Sequence, residues 1–276
     1  SNKLSYGALK KGGAKITKTY RIYDLDLEPQ SVEPETGVVR TAPEWEPRGA
    51  AVLPSTASPP TGQLEVRKVE NRRDLAAFCR LPWAIYANDP HWVPPLLTEV
   101  KEFLDRRKHP FYQHGDAVQF LATRDGQPVG RVLVSDDPNY NRQHGASTGC
   151  FGMFECFDDS EATRGLLDAG ADWLRGRGID HIMGPIDYST NYPCGLLVDG
   201  FDTPPRFMMN HHRPYYLALL ESWGLDKAKD LYAWWFTDPL NLVERWREKA
   251  ERIARRSGAI VRPFRRHHFR EDLQHC

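Results

Sequence analysis

The sequence predicts an α/β fold in which helices flank a mixed, mainly antiparallel central sheet, preceded by a disordered arm. From residue 64 onward, segments with strand alternation recur between segments with helix caps and helical spacing. The turn Asp125-Gly126 joins two of these strands as a hairpin, which makes part of the sheet antiparallel. Residues 1–62 are instead rich in proline, glycine and polar side chains.

The 276 residues divide into three predicted segments. Residues 1–62 form the arm, where seven prolines between Pro29 and Pro60 remove backbone donors and prevent a helix or a central strand. Within it, only Thr19–Leu27 alternates like a strand, and such a strand would add to a sheet edge. Residues 63–240 form the globular domain. Residues 241–276 form a linker helix and the truncated start of a possible second domain.

The elements of the domain follow from alternation, caps and breakers. We expect strands at 64–69, 117–124, 128–135, 148–157, 179–183 and 231–236. We expect helices at 74–81, 96–107, 160–177, 215–223 and 242–256. Asn71 caps the first helix and Pro82 ends it, Asp158 or Asp159 caps the third, and Gly178 closes the third. A long loop, 184–213, interrupts the pattern, and loops of that length are usually functional.

Composition excludes several classes of function. Lys plus Arg and Asp plus Glu both number 37, so no global field attracts nucleic acid, and we expect no nucleic-acid partner. No apolar run approaches the roughly 18 residues of a membrane-spanning helix, and the first residues lack a secretory apolar core. The five cysteines form no CxxC pair, so we expect no metal, no disulfide framework and a cytoplasmic protein.

A short internal repeat suggests duplication. Val66-Arg67 followed by Asp74-Leu75 matches Val261-Arg262 followed by Asp272-Leu273, and both pairs have the form of a strand, a polar turn and a helix start. Two interpretations stay open. Any strand-to-helix start can look like this, or a second copy of the domain begins near residue 259.

Several motifs resemble a family of bacterial proteins related to acyl-CoA N-acyltransferases of the GNAT type. They are Asp137–His144, Gly149–Glu155, Gly184–Asn191, Gly195–Asp202, Pro214–Tyr216 and Lys229–Trp234. The resemblance covers the chain from about Leu64 onward and is closest to the YghO-like family, with bacterial ceramide synthases as more distant relatives. It implies the GNAT fold and transfer of an acyl group from acyl-CoA or acetyl-CoA to an amine, which is a small molecule or a lipid.

The resemblance also places the site. The strands that hold the pantetheine arm in GNAT proteins resemble 149–157 and 179–183, which makes Phe154, Glu155 and Cys156 candidates for binding the co-substrate. A carboxylate among aromatic residues has a raised pKa and suits a base, so Glu155 is also a catalytic candidate. The alternative is that Glu155 faces solvent or pairs with a neighbouring cation.

The remaining candidates lie in the long loop and just after it. His211 is a candidate base near neutral pH, and Tyr216 a candidate proton donor to the leaving thiolate. Candidates for binding the acceptor are Ser189, Asn191, Asn210 and Tyr215. A lipid acceptor would need an apolar groove, for which the loop offers Leu196, Leu197, Phe201, Phe207 and Met208.

The sequence departs from the GNAT pattern at two places. Acidic residues (Asp158, Asp159 and Glu161) stand where a glycine-rich loop usually binds pyrophosphate, and Leu220 replaces the usual acid tyrosine. Three functions therefore stay open: an N-acyltransferase, a non-catalytic module of the same fold that binds a ligand or partner, and a lipid amine acyltransferase of the ceramide synthase type. We expect the cofactor loop in a second GNAT-like half in cis.

Overall fold

The computed structural model describes residues 14–27, 59–236, 239–258, 262 and 265–274. The described strands form one eight-stranded sheet in the order β2-β3-β4-β5-β6-β1-β7, with β8 also pairing with β1. The strands are β1 (Lys15–Asp26), β2 (Leu64–Lys68), β3 (Asp116–Arg124), β4 (Gln127–Asp136), β5 (Thr148–Cys156), β6 (His181–Gly184), β7 (Leu196–Asp199) and β8 (Asp226–Trp235). The pairings with a described register are antiparallel except β5 with β6, which confirms the mixed, mainly antiparallel sheet.

Helices flank this sheet, as the alternation of elements predicts. They are α1 (Arg72–Ile85), α2 (Leu97–Phe103), α3 (Pro138–His144), α4 (Ser160–Arg175), α5 (Tyr216–Ser222), α6 (Pro239–Ser257) and α7 (Phe269–Leu273). Among the described helices, none combines the length and the apolar character needed to cross a bilayer.

The β3–β4 hairpin has the turn that its sequence requires. Asp125 and Gly126 have φ values of 46° and 79°, and two left-handed residues in succession match the twist of a two-residue hairpin. Both strands bury runs of consecutive residues, because both lie inside the sheet with a strand on each side. This hairpin therefore fixes the register of the half of the sheet that carries β5.

Helix α4 is the main helical layer on the domain core. Asp159 caps it by accepting a hydrogen bond from the backbone N–H of Ala162, as predicted. Its inward face buries Leu166, Leu167 and Leu174 completely. Burial of each leucine contributes about 1.5–3 kcal/mol, so this face anchors the helix against β4 and β3.

Strand β1 corrects the predicted boundary of the arm. Lys15–Asp26 lies inside the sheet between β6 and β7, and its Tyr23 is fully buried. The alternation over Thr19–Leu27 marks this strand, but its position is central, because its partners follow it by more than 150 residues. Residues 1–13 and 28–58 of the predicted arm lie outside the described residues.

Other element boundaries differ from the predictions. Pro82 lies inside α1 instead of ending it, since the helix continues to Ile85. The long loop contains the short strand β7, and the segment between the strands predicted at 128–135 and 148–157 contains α3, capped by Asp137. Helix α2 is shorter than predicted, and β8 begins five residues earlier than expected.

The chain separates into two compact units. One comprises Thr17–Ala233 and contains the domain core described above. The other comprises the described residues up to Ile16 and from Trp234 onward. In this second unit, Asp272 of α7 is buried and accepts hydrogen bonds from the guanidinium groups of Arg262 and Arg265.

Candidate functional site

The site lies where β5 separates from β6. The two strands pair in parallel only over Thr148–Cys150. Farther along β5, Met153 has a φ of 45°, and the register against β4 shifts at this bulge. Past the bulge, two tyrosine hydroxyl groups bond to the β5 backbone in place of β6. The hydroxyl oxygen of Tyr216 accepts from the N–H of Cys156 at 3.1 Å, and the Tyr215 O–H donates to the carbonyl of Cys156 at 2.9 Å.

A cavity of about 370 Å³ opens beside this edge of β5. That volume is in the range of small-molecule sites. Most of its lining is apolar: Cys79, Pro82, Trp92, Val93, Pro95, Val100, Phe103, Met153, Phe154, Pro185, Pro193, Pro205 and Met209. Its polar lining is Glu99, Arg131, Glu155, Asp187, Asn210, His211 and His212. An apolar wall with a few convergent polar groups is the usual composition of a ligand site.

Glu155 lines this cavity, and its side chain is only 12% exposed. Its Oε2 accepts hydrogen bonds from Tyr86 O–H at 2.8 Å and from Tyr216 O–H at 2.7 Å. Burial raises the pKa of Glu155, and this effect outweighs the opposing effects of Arg131 and the two hydroxyl donors. The alternative that Glu155 faces bulk solvent does not hold, because alternation is broken at the bulge.

Arg131 is the cation nearest to Glu155, with Nη2 3.9 Å from Oε1. Its Nη1 donates to the carbonyl of Phe78 at 2.7 Å. That carbonyl is free to accept because Pro82, four residues later in α1, has no N–H. The proline that fails to end the helix therefore provides an anchor for a buried cation, which lies over the Phe78 ring.

Asp187 is a second carboxylate of the cavity. Its Oδ1 accepts from the N–H of Met153 at 2.7 Å, so the bulge in β5 holds this carboxylate in place. Burial raises the pKa of Asp187 to about 6, although this hydrogen bond and Arg131 oppose the rise. The cavity is thus lined by three carboxylates, of which that of Glu99 belongs to an exposed residue, and by one guanidinium group.

His211 forms a buried pair with Asp89, a residue that follows α1. Nε2 of His211 lies 2.9 Å from Asp89 Oδ2, and the two side chains are 4% and 3% exposed. Nη1 of Arg213 lies 3.3 Å from the same carboxylate oxygen. Nδ1 of His211 is buried without a hydrogen-bond partner within the described part of the chain. Burial lowers the pKa of His211, against the opposing effect of Asp89.

The structure brings only some of the predicted acceptor-binding residues to the cavity. Asn210 lines it, and its side chain donates to the carbonyl of Gly195 at 3.2 Å. Ser189 and Asn191 are not among the lining residues, and Asn191 is exposed. Tyr215 lies behind the cavity, on the β5 edge. These four assignments stay predictions.

The predicted lipid groove is not formed by its residues. Leu196 and Leu197 are buried in the core. Phe207 is 93% exposed and Met208 67% exposed, and neither lines the cavity. The apolar surface at the site comes instead from α1, α2 and the segment between them, from β5, and from other residues of the long loop.

The N-terminus of α4 does not fit a pyrophosphate group. Arg124 donates to both carboxylate oxygens of Asp159, at 2.6 and 2.9 Å, and to Glu161 at 2.7 Å. The cation that would attract phosphate is thus already neutralised, and Asp158 is exposed beside it. Of the three predicted co-substrate residues, Phe154 and Glu155 line the cavity, whereas Cys156 is buried behind them.

Four residues of the site were not predicted from the sequence: Tyr86, Asp89, Arg131 and Asp187. Each lies in an element whose local pattern is dominated by apolar residues or turn residues. Their shared signal is a polar group within or beside an apolar run, and that signal is too common to single them out. Leu220, which replaces the usual tyrosine, is fully buried in the core.

The sequence is similar to two curated proteins. It is 36% identical over 211 residues to Protein YghO of Escherichia coli and 35% identical over 212 residues to the bacterial ceramide synthase of Caulobacter vibrioides. Both matches cover 76% of this chain, which spans about half of each relative's length, 53% and 55%. No family model matches the sequence.

The matches among solved structures include N-acetyltransferases. A GCN5-related N-acetyltransferase from Sphaerobacter thermophilus has a TM-score of 0.45 and 14% identity, over 83% of this chain and 54% of that one. A tandem GNAT protein from the clavulanic acid biosynthesis pathway has a TM-score of 0.42 and 13% identity, over 85% of this chain and 58% of that one.

No group of three or more potential metal ligands is present among the described residues.

Proposed function

We propose that this chain, which is similar to YghO and to a bacterial ceramide synthase over about half of their lengths, takes part in the transfer of an acyl group from acyl-CoA to an amine. The observation that carries the proposal is Glu155, a carboxylate of raised pKa at the edge of an apolar cavity. An amine acceptor must lose a proton to become a nucleophile, and a base with a raised pKa suits that task near neutral pH.

The roles of the neighbouring residues follow from their contacts. Tyr86 and Tyr216 donate to Glu155 and hold its carboxylate in one position. Tyr216 also accepts from the β5 backbone, so its hydroxyl is engaged on both sides. We therefore assign Tyr216 a positioning role in place of the predicted role as a proton donor. The charge of Arg131 opposes the rise that burial causes in the pKa of Glu155.

The acceptor we propose is an amine with an apolar body. The cavity wall is mainly apolar, whereas its charged groups converge near β5. The relative from Caulobacter vibrioides is called a ceramide synthase, which supports a lipid amine as one member of this class. A volume of about 370 Å³ accommodates a small amine, or the amine end of a longer molecule.

Acyl transfer by this chain is tested by release of free CoA and by mass spectrometry of the product. Acetyl-CoA and a long-chain acyl-CoA are each offered with a sphingoid amine and with an amino acid. We expect transfer to the amine that has an apolar body. Glu155→Gln should lower turnover at least a hundredfold, in the range of general base catalysis. Glu70→Gln, at an exposed carboxylate outside the cavity, is the matched control.

A non-catalytic module of the same fold is the second candidate. It is favoured by the Arg124–Asp159–Glu161 cluster, which fills the place where a pyrophosphate would bind. Calorimetry with acyl-CoA separates the two functions. Binding with turnover supports the transferase, and failure to bind any acyl-CoA refutes transfer by this chain alone.

We also propose that a second GNAT-like half follows in cis. The two members of the sequence repeat form the same ion pair in the structure: Arg67 with Asp74 at 3.0 Å, and Arg262 with Asp272 at 2.6 Å. In both, a cation before a helix pairs with an acid in the first turn of that helix. The shared contact supports a second copy that supplies the cofactor loop.

A further inference from the structure

One buried group of the cavity has no role in the proposed chemistry of Glu155. Nδ1 of His211 is buried, lacks a hydrogen-bond partner among the described residues, and belongs to a residue that lines the cavity. A buried polar atom without a hydrogen-bond partner destabilises the protein, because it has lost its bonds to water. Such a cost at the wall of a cavity indicates a ligand that supplies the missing hydrogen bond.

The contacts of Asp89 decide which hydrogen bond is missing. Its Oδ2 faces Nε2 of His211 at 2.9 Å and Nη1 of Arg213 at 3.3 Å, whereas its Oδ1 accepts from the N–H of His91 at 3.0 Å. Arg213 and the backbone N–H can only donate, so both oxygens of Asp89 must accept. Nε2 of His211 therefore carries the proton, and Nδ1 is left as an acceptor.

We propose that Asp89 is a positioning residue that fixes His211 as its Nε2–H tautomer and so presents Nδ1 to an N–H or O–H donor of the bound acceptor. This inference rests on the proposed function, and it adds a second polar contact to Glu155. The Tyr86 hydroxyl, which donates to Glu155 at 2.8 Å, also lies 3.3 Å from the carbonyl oxygen of His211. Tyr86 thus contacts both Glu155 and the backbone of His211, so both polar contacts lie at the same wall of the cavity.

The charges around His211 keep its ring neutral. Burial lowers the pKa of His211, Asp89 raises it, and Lys18 and Arg213 lower it. His212, whose Nδ1 accepts from the N–H of Leu197, has its pKa lowered to about 3 by burial and stays uncharged. Burial alone would raise the pKa of Asp89, but the hydrogen bonds from His211 and His91 and the charge of Arg213 lower it, so the carboxylate is ionised.

The tautomer is measured by NMR on the protein labelled with nitrogen-15 at histidine. At pH 7.5 we expect Nε2 of His211 to be protonated and Nδ1 to be unprotonated. Adding n-hexylamine as a probe should shift the Nδ1 resonance as it saturates. A protonated Nδ1 in the wild-type protein overturns the inference. An Nδ1 resonance that no concentration of the amine perturbs overturns the contact with substrate.

Variants test the role of Asp89. In Asp89→Asn the NH₂ group of the amide must face either the N–H of His91 or the side chains of His211 and Arg213. On either side it meets a group that already donates a hydrogen bond to Asp89 in the wild type. We expect the pKa of His211 to fall, Nδ1–H to become populated, and Asp89→Glu to restore the Nε2–H form. If Asp89→Asn fails to fold, the wild-type spectrum still decides the tautomer. An unchanged tautomer in folded Asp89→Asn overturns the positioning role.

A further pair of variants separates the two ring nitrogens. In His211→Asn the amide group lies close to the former position of Nδ1, and in His211→Gln close to that of Nε2. We expect the KM for the acceptor to rise about tenfold in His211→Gln and less in His211→Asn, since one hydrogen bond is worth about a factor of ten. Equal effects overturn the inference.

Turnover by a protein with the opposite tautomer refutes this inference alone, whereas the expected tautomer without turnover refutes the proposed function alone.

Discussion

Replacing Asp187 by Asn should make the protein more stable at neutral pH. The carboxylate is half-buried at the wall of the cavity, and within the described structure it accepts one hydrogen bond, from the N–H of Met153 at 2.7 Å. Asparagine keeps an oxygen that can accept this bond and removes the charge. Its NH₂ group then faces the cavity that Asp187 lines. The substitution therefore isolates the cost of ionising this group inside the protein.

The magnitude follows from the pKa of Asp187, which burial raises from 3.8 to about 6. Between those values the folded protein binds more protons than the unfolded chain, so Asp187 lowers stability as pH rises through that window. Each pKa unit corresponds to about 1.4 kcal/mol, which gives a cost of at most about 3 kcal/mol above pH 6. Below pH 4 the cost vanishes.

Urea unfolding of the wild type and of Asp187→Asn from pH 4 to pH 8 measures this difference. We expect equal stabilities at pH 4 and an advantage for the variant that grows to about 1–3 kcal/mol by pH 7. Other titrating groups cancel in the comparison, except for Glu155, whose pKa falls slightly when Asp187 is neutral. Asp180→Asn, at an exposed carboxylate, should show no such growth.

The reasoning is refuted if the difference between the wild type and Asp187→Asn does not change with pH. It is also refuted if the wild type is the more stable protein at pH 7. Either result would mean that the charge of Asp187 is compensated, with Arg131 as the cation in the cavity that would compensate it.

Three further predictions concern single residues of the domain core and of the site. Tyr216→Phe removes a hydroxyl that bonds to Glu155 and to the β5 backbone, so it should cost about 1–3 kcal/mol in urea unfolding and raise the carboxylate's pKa. Tyr215→Phe is the control and should leave the pKa of Glu155 unchanged when it is measured by carbon-13 NMR. A change would mean that Tyr216 is wrongly assigned as the hydrogen-bond donor to Glu155. Gly152→Ala places a Cβ atom 2.4 Å from a backbone oxygen and should cost at least about 2 kcal/mol, whereas Gly176→Ala, with 3.4 Å of room, should be nearly neutral. Arg124→Ala should cost about 1–2 kcal/mol, because the nearly buried cap of α4 loses its partner, and an unchanged unfolding midpoint would contradict this.

The parts of the fold that depend on local sequence were predictable. The hairpin turn at Asp125 and the cap of α4 at Asp159 both follow from interactions within a few residues. Strand β1 shows the limit of such patterns. Its alternation was visible in the sequence, but its central position depends on pairing with β6 and β7, which lie more than 150 residues later in the chain. Such distant pairing leaves no local signal.

The candidate site was predictable in the same uneven way. Glu155 and His211 stand out as polar residues in an apolar strand and in a long loop, and the structure places both at the cavity. Asp89 and Asp187 do not stand out, because acidic residues in turns are common. Their roles arise from contacts with distant residues, namely the His211 ring and the Met153 backbone.

Pro82 shows why one local rule gave the wrong boundary. A proline inside a helix removes one backbone hydrogen bond, and the carbonyl four residues earlier loses its donor. In α1 that carbonyl belongs to Phe78 and accepts from Arg131 instead. Because the guanidinium group replaces the lost bond, the helix continues to Ile85, and the same replacement holds the cation beside Glu155. The apparent helix breaker is therefore part of the site, and Pro82→Ala should free Arg131 from Phe78 by restoring the helical hydrogen bond.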